Sequence, residues 1–229
     1  VIIEQNSDPG VTETVNQEAI DAGIIILSFD NEMENASASY LASNYDLGYQ
    51  IGTMCADWAN GEFEDGACQI GLLNASSYDF ILERVKGIKA ALEEKDPNCE
   101  IVIESDAVTT TDGLEAAENF LQAYPELNGV VGINDSVVLG AYEAFKAADR
   151  IGDDVGLFAC DGSLEGLEAV AEGSIHRGTV SLHLNDVGKQ MIDDGITLVN
   201  GGTLESTTNY FPLEAVTKDN VQDFIDELN

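Results

Sequence analysis

Residues 24–29 (Ile-Ile-Ile-Leu-Ser-Phe) form an almost unbroken apolar run rich in β-branched side chains, closed by Asp30-Asn31. A run without polar alternation reads as a strand buried on both faces. The same unit recurs along the chain. Short apolar runs at 1–4, 39–42, 69–73, 100–104, 129–133, 155–159, 177–182 and 210–216 are predicted strands. Between them, segments 11–22, 47–58, 80–92, 113–123, 137–148, 164–172, 187–198 and 221–228 carry helical spacing. Gly23 follows the first of these as its predicted C-cap. Serial β–α units with fully apolar strands imply an α/β protein: parallel sheets covered by helices.

In parallel sheets of this kind, ligands bind beyond the carboxyl ends of the strands. The polar residues at those positions are Asp30-Asn31, Asn44, Asn74, Asn134-Asp135 and Asp161-Gly162. Each taken alone is also an ordinary turn or helix-capping residue. Their recurrence at successive strand ends is what marks a candidate site.

The chain has 229 residues, 44% of them apolar, enough for one large or two small domains with a real core. Nine Lys and Arg face 43 Asp and Glu, a formal net charge of −34. Nucleic acid and anionic membrane surfaces are therefore excluded as partners, because binding them needs basic residues. The acidity reads as solubility or as adaptation to salt. No apolar run is long enough to cross a bilayer, and Val1 opens directly into Val-Ile-Ile with no basic segment of a secretory signal before it.

Chemistry-bearing motifs are missing. There is no G-x-G-x-x-G after a strand and no G-x-x-x-x-G-K-[ST], so nucleotide phosphates have no cradle and no cofactor is expected. In Gly162-Ser163-Leu164-Glu165-Gly166 the serine is off-centre for a nucleophile elbow. His176 and His183, the only histidines, stand at a strand and a strand end and outside any zinc motif. The acidic stretch 57–65 lacks the ligand spacing of a calcium loop, so no metal is expected and a solvated helix-end loop is. No base with a partner is evident, and an enzyme is not expected. The four cysteines, Cys55, Cys68, Cys99 and Cys160, form no CxxC pair. Cys68 and Cys99 each open a predicted strand and could bridge if those strands are parallel neighbours; buried free thiols are the commoner state of core cysteine and the preferred reading.

Several segments together resemble the ribose/galactose class of periplasmic binding proteins. They are Ser7-Asp8, the helix to Gly23, the 24–29 strand with Asp30-Asn31, and Ala42-Ser43-Asn44 with Leu47-Gly48. Glu83-Arg84-Val85-Lys86-Gly87-Ile88 and Gly132-Ile133-Asn134-Asp135 with Leu139-Gly140-Ala141 follow. Phe158-Ala159-Cys160-Asp161-Gly162 and Gly178-Thr179-Val180 with Asp186-Val187-Gly188 complete the series. Each fragment is weak alone; their order and spacing across nearly the whole chain carry the resemblance.

The resemblance implies two Rossmann-like lobes with the ligand between them: residues 1–43 with 183–207, and 44–182 with 208–229. It also implies that the first lobe is truncated, because the class begins with a strand–helix–strand–helix segment ahead of the position of Val1. An open sheet lacking those strands exposes an edge and apolar faces that invite dimerisation. Implied ligand contacts are Asp30, Asn31, Arg84, Asn134 and Asp161. Asn31 stands where ribose-binding members of the class carry Arg, Leu182 where they carry Gln, and Val108 where they carry Phe, so ribose itself is not the expected ligand. Tyr78 and Phe80 offer stacking surface ahead of Arg84, with core packing the alternative for Phe80.

The site chemistry suits a sugar or polyol: carboxylates accept, Arg donates in a planar fork, and Asn does both. The expected role is an extracytoplasmic solute-binding protein, in the periplasm or lipid-anchored at the outer face of the membrane. It would deliver a small sugar or polyol to the permease of an ABC transporter or to a receptor. The alternative is the effector-binding domain of a lactose-repressor-type transcription regulator, which shares the fold; a net charge of −34 opposes it.

Overall fold

The structure is a computed structural model that describes residues 1–6 and 8–228; Ser7, in the Ser7-Asp8 segment, lies outside the described residues. The chain divides into two compact units. The first comprises Val1–Ser43 and His183–Pro212, and the second comprises Asn44–Leu182 and the chain from Leu213 onward.

In the first unit, β1 (Ile2–Glu4), β2 (Ile26–Asp30), β3 (Ala38–Leu41) and β9 (Thr208–Tyr210) form one parallel sheet in the order β1-β2-β3-β9. Helices α1 (Pro9–Asp21) and α7 (Leu184–Val199) belong to this unit. Ile26, Leu27 and Tyr40 are fully buried. The Tyr40 hydroxyl donates to Asp194 Oδ2 on α7 at 2.5 Å, tying helix to sheet. Burial and that carboxylate push the phenol well above its ordinary pKa. Gly23, at φ 81°, occupies the left-handed position just past α1, as its place in the sequence suggests. Strand β1 is an edge strand. Val1, Ile3, Ile192, Ile196 and Val199 beside it line an apolar groove of about 270 Å³.

The second unit holds a six-stranded sheet in the order β10-β8-β7-β6-β4-β5. Its strands are β4 (Cys68–Asn74), β5 (Cys99–Asp106), β6 (Gly129–Gly132), β7 (Gly156–Asp161), β8 (His176–Ser181) and β10 (Glu214–Thr217). The helices are α2 (Asn44–Glu62), α3 (Asp79–Lys95), α4 (Thr110–Ala123), α5 (Asp135–Ala147), α6 (Leu164–Glu172) and α8 (Val221–Leu228). Adjacent residues of β8 point to opposite faces: Gly178 lies under Met54 of α2, whereas Thr179 bonds Asp135 of α5. The strands between these helix layers are buried on both sides, with Ile70, Leu72, Leu73 and Phe158 at the centre of the core.

Three expectations need correction. The predicted strand 210–216 is two strands: β9 pairs parallel with β3, and β10 pairs antiparallel with β8. Residues 208–212 consequently belong to the first unit rather than the second, and one pairing in the larger sheet is not parallel. Residues 211–213 interrupt the ladder between them. Cys68 and Cys99 are not free thiols. They face each other in register at the starts of β4 and β5 and form a disulfide, with Cα atoms 4.4 Å apart. Cys55 and Cys160 are the buried free thiols among the described residues.

Candidate functional site

Several strand ends carry an unusual backbone geometry. Asp30 at the end of β2 has φ 68°, Asp161 at the end of β7 has φ 113°, and His183 just after β8 has φ 47°. Residues other than glycine rarely adopt positive φ, and such positions collect at functional sites.

In the second unit the organising residue is Arg84. It lies on α3 and is only 7% exposed. α2 and α3 approach backbone to backbone, since a Cβ on Gly48 would stand 1.8 Å from the Arg84 carbonyl oxygen and one on Gly87 would stand 2.1 Å from that of Tyr45. Only glycine permits this crossing. It brings Asn44, the first residue of α2, against the guanidinium. Asn44 Oδ1 accepts from Nε at 3.1 Å and from Nη2 at 2.8 Å. Nη1 donates to the Ile133 carbonyl and to Cys160 Sγ, the latter at 3.4 Å. These acceptors are all neutral, and among the described residues Arg84 enters no ion pair. One of the two Nη2 hydrogens is left without an acceptor among them. On the exposed side of α3, Glu83 pairs with Lys86 rather than with the neighbouring Arg84.

Both backbone neighbours of this contact carry candidate ligand groups. Ile133 precedes Asn134, and Cys160 precedes Asp161. Asn134 is also the N-cap of α5, with Oδ1 accepting from Val137 N at 2.9 Å. Its Nδ2 has no partner among the described residues. The cap and the ligand role are therefore compatible, because they use different atoms of one amide. Burial pushes the Cys160 thiol well above its ordinary range, so it stays an S–H. Its sulfur lies 3.1 Å from Ile133 O and 3.6 Å from Asp161 Oδ1.

The remaining candidates lie at the same carboxyl-end rim of this sheet. Tyr78 is the residue before α3, 41% exposed, and its ring meets Phe80 at 5.7 Å between centroids. Val108 follows β5 and is 48% exposed, with its N–H bonded to Asp112 Oδ2. Leu182 directly follows β8 and is buried. In the first unit, the Asn31 amide donates to the Asn6 carbonyl at 3.0 Å, and Asp30 makes no side-chain hydrogen bond to a described residue.

Other strand-end residues are structural. Asn74 accepts from the Ala75 N–H, and Ser163 is the N-cap of α6 rather than a nucleophile. His176 is fully buried on β8, and desolvation lowers its pKa to about 4. Among the described residues no group of His, Cys, Asp and Glu is arranged to hold a metal. Asn44, Cys160 and Asp135, which bond Arg84 or the turn after β7, are not among the ligand contacts that the resemblance implies. Asn44 and Asp135 were visible as strand-end polar residues; Cys160 had no signal beyond standing next to Asp161.

At the strand ends of the second unit lie a buried guanidinium and, next in sequence to two of the groups it bonds, the Asn134 amide and the Asp161 carboxylate, groups whose chemistry suits a small polar solute. Comparison with known proteins identifies the family. The chain matches the periplasmic binding protein domain over residues 1–203, and it belongs to that family. It is 31% identical over 97% of its length to a protein of Rhizobium meliloti named for rhizopine binding, covering 73% of that protein. It is 23% identical to the ribose import binding protein of Bacillus subtilis, covering 93% of this chain and 68% of that one. Among solved structures it superposes on an ABC transporter solute-binding protein of Bacillus halodurans with bound myo-inositol. The TM-score is 0.84 at 25% identity, covering 99% of this chain and 77% of that one. Members of this family are extracytoplasmic binding proteins without enzymatic activity. Among the described residues no helix is long and apolar enough to cross a membrane.

Proposed function

We propose that this chain captures a small sugar or polyol and delivers it to the permease of an ABC transporter. The observation that carries the reading is the state of Arg84: a buried cation held only by neutral groups, with a hydrogen on Nη2 left to donate. A ligand hydroxyl is a suitable acceptor for it. The Asn134 amide donates beside it, and the Asp161 carboxylate accepts from a second hydroxyl. Asp30 and Asn31 are the contacts proposed from the first unit. Tyr78 supplies a ring face, and Val108 and Leu182 supply apolar walls for the carbon skeleton. The names of the relatives point to the same ligand class, and the Cys68–Cys99 bridge suits an oxidising, extracytoplasmic compartment.

Isothermal titration against D-ribose, L-arabinose, xylitol and myo-inositol tests the reading. We expect micromolar or tighter binding of at least one of them, and loss of that binding by a factor of a hundred or more in Arg84→Met, about 3 kcal/mol. A wild-type protein that binds none of a wider sugar and polyol panel at millimolar concentration, or an Arg84→Met variant that binds as tightly as wild type, rules it out.

A further inference from the structure

Asp135 is 1% exposed, yet it is the first residue of α5 and stands next to the candidate ligand residue Asn134. Its carboxylate collects hydrogen bonds from two other elements. Oδ2 accepts from both the backbone N–H and the hydroxyl of Ser163, each at 2.8 Å. Oδ1 accepts from the Thr179 hydroxyl on β8 at 2.6 Å. The hydroxyls pass the polarity on: Thr179 Oγ1 accepts from Gly162 N at 3.3 Å, and Ser163 Oγ from Gly166 N at 3.1 Å. Every proton in this chain of bonds is aimed toward one carboxylate.

The segment so held is the turn Asp161-Gly162-Ser163. Asp161 has φ 113° and Gly162 has φ 63°, so two successive residues sit at positive φ. For Asp161 this is a strained conformation that persists only where its surroundings over-determine it. The bonds from Gly162 and Ser163 to Thr179 and Asp135 supply that determination.

We propose that Asp135 is a positioning residue of the ligand site: by anchoring the Ser163 and Thr179 groups it holds the Asp161-Gly162 turn in its strained form and so aims the Asp161 carboxylate. This rests on the proposed function, since it is the sugar-binding role of Asp161 that gives the anchoring a purpose. Burial disfavours the charge on Asp135 and raises its pKa to about 6 despite the donors around it. A carboxylate kept where the fold disfavours its charge fits a functional demand better than a structural one. Asparagine cannot replace it. Its Nδ2 donates, so one of the three donors now pointing at the carboxylate loses its acceptor.

The test uses Asp135→Asn and Thr179→Val in the full chain at pH 7.5. Amide hydrogen exchange, measured without ligand, should be at least tenfold faster at Gly162, Ser163 and Gly166 in both variants, with residues 70–73 of β4 unchanged. Affinity for D-ribose and myo-inositol, whichever binds the wild-type protein, should fall at least tenfold while the melting temperature stays within a few degrees. Unchanged exchange at those amides overturns the proposal. So does an affinity within twofold of wild type in a variant of lowered melting temperature, the result expected of a residue that only stabilises the fold. If Asp135→Asn does not fold, Thr179→Val and Ser163→Ala carry the same measurements. Silence of both probes on the wild-type protein counts against the proposed function, and the exchange rates still decide the role of Asp135.

Discussion

Asn44 Oδ1 accepts from both Nε and Nη2 of Arg84, at 3.1 and 2.8 Å, across 40 residues of sequence. One neutral amide thus fixes the plane of a buried cation without cancelling its charge. Replacing it with an apolar residue leaves two guanidinium N–H groups buried without an acceptor, a loss of about 1–3 kcal/mol. Asn44→Leu should therefore lower the urea unfolding free energy by that amount. Titration should show ligand affinity weakened tenfold or more in the protein that remains folded.

The crossing that places Asn44 depends on Gly48. An added methyl would lie 1.8 Å from the Arg84 carbonyl oxygen, an atom of the backbone that cannot step aside. Gly48→Ala should destabilise by about 3 kcal/mol, the upper end for overpacking. Gly188, on α7, has nothing within 4 Å of where its Cβ would stand. Gly188→Ala should instead stabilise by roughly 0.5–1 kcal/mol through helix propensity alone. Paired chemical denaturation curves check both signs.

Asp135 and His176 have opposing pH dependences. The Asp135 pKa is raised from 3.8 to about 6, mainly by burial and also by Glu165 on α6, so the native state takes up its proton first. Its contribution grows as pH falls through 6 and is fully present below 4. The His176 pKa is lowered from 6.5 to about 4 by burial, so its contribution is present above 6.5 and is lost as pH falls toward 4. Each amounts to at most about 3 kcal/mol by linkage, and between pH 4 and 6 they offset each other. Relative to wild type, Asp135→Asn should lose stability on acidification from pH 6 to 4, and His176→Leu should gain it. Unfolding free energies at half-unit pH steps read out the two slopes.

The disulfide between Cys68 and Cys99 closes a loop of 31 residues and ties edge strand β5 to β4. Chain entropy assigns such a bridge about 3–4 kcal/mol. Cys68→Ser/Cys99→Ser, or reduction with dithiothreitol, should lower the unfolding free energy by that amount. Ligand affinity should not move, because the bridge lies at the amino ends of the strands, about 20 Å along β4 from the candidate site. Calorimetric unfolding and titration on the same samples separate the two effects.

Much of this architecture was legible in the residues. Apolar runs such as 24–29 located the strands, and the polar residue that follows each one marked the rim proposed here to hold a ligand. The stretch 210–216 misled because its apolar residues read continuously. In the folded chain Tyr210 pairs with Leu41 while Glu214 pairs with Ser181, so one run serves two sheets. Arg84 was identifiable only through the family resemblance. Nothing local distinguishes it from a surface arginine on an amphipathic helix, and its burial follows from where α2 crosses α3.

The order of strands and helices, and hence the α/β class, was determined by the chain's own hydrophobic pattern. A strand with no polar face has to be covered on both sides, and amphipathic helices between strands are the only cover available. Tertiary structure alone decided which polar groups meet. Cys68 and Cys99 stand 31 residues apart, Asn44 and Arg84 40, and Asp135 and Thr179 44. Each of these pairings depends on which strands become neighbours or how closely two helices approach. Such distances arise only once the core has packed, and no periodicity in the sequence encodes them.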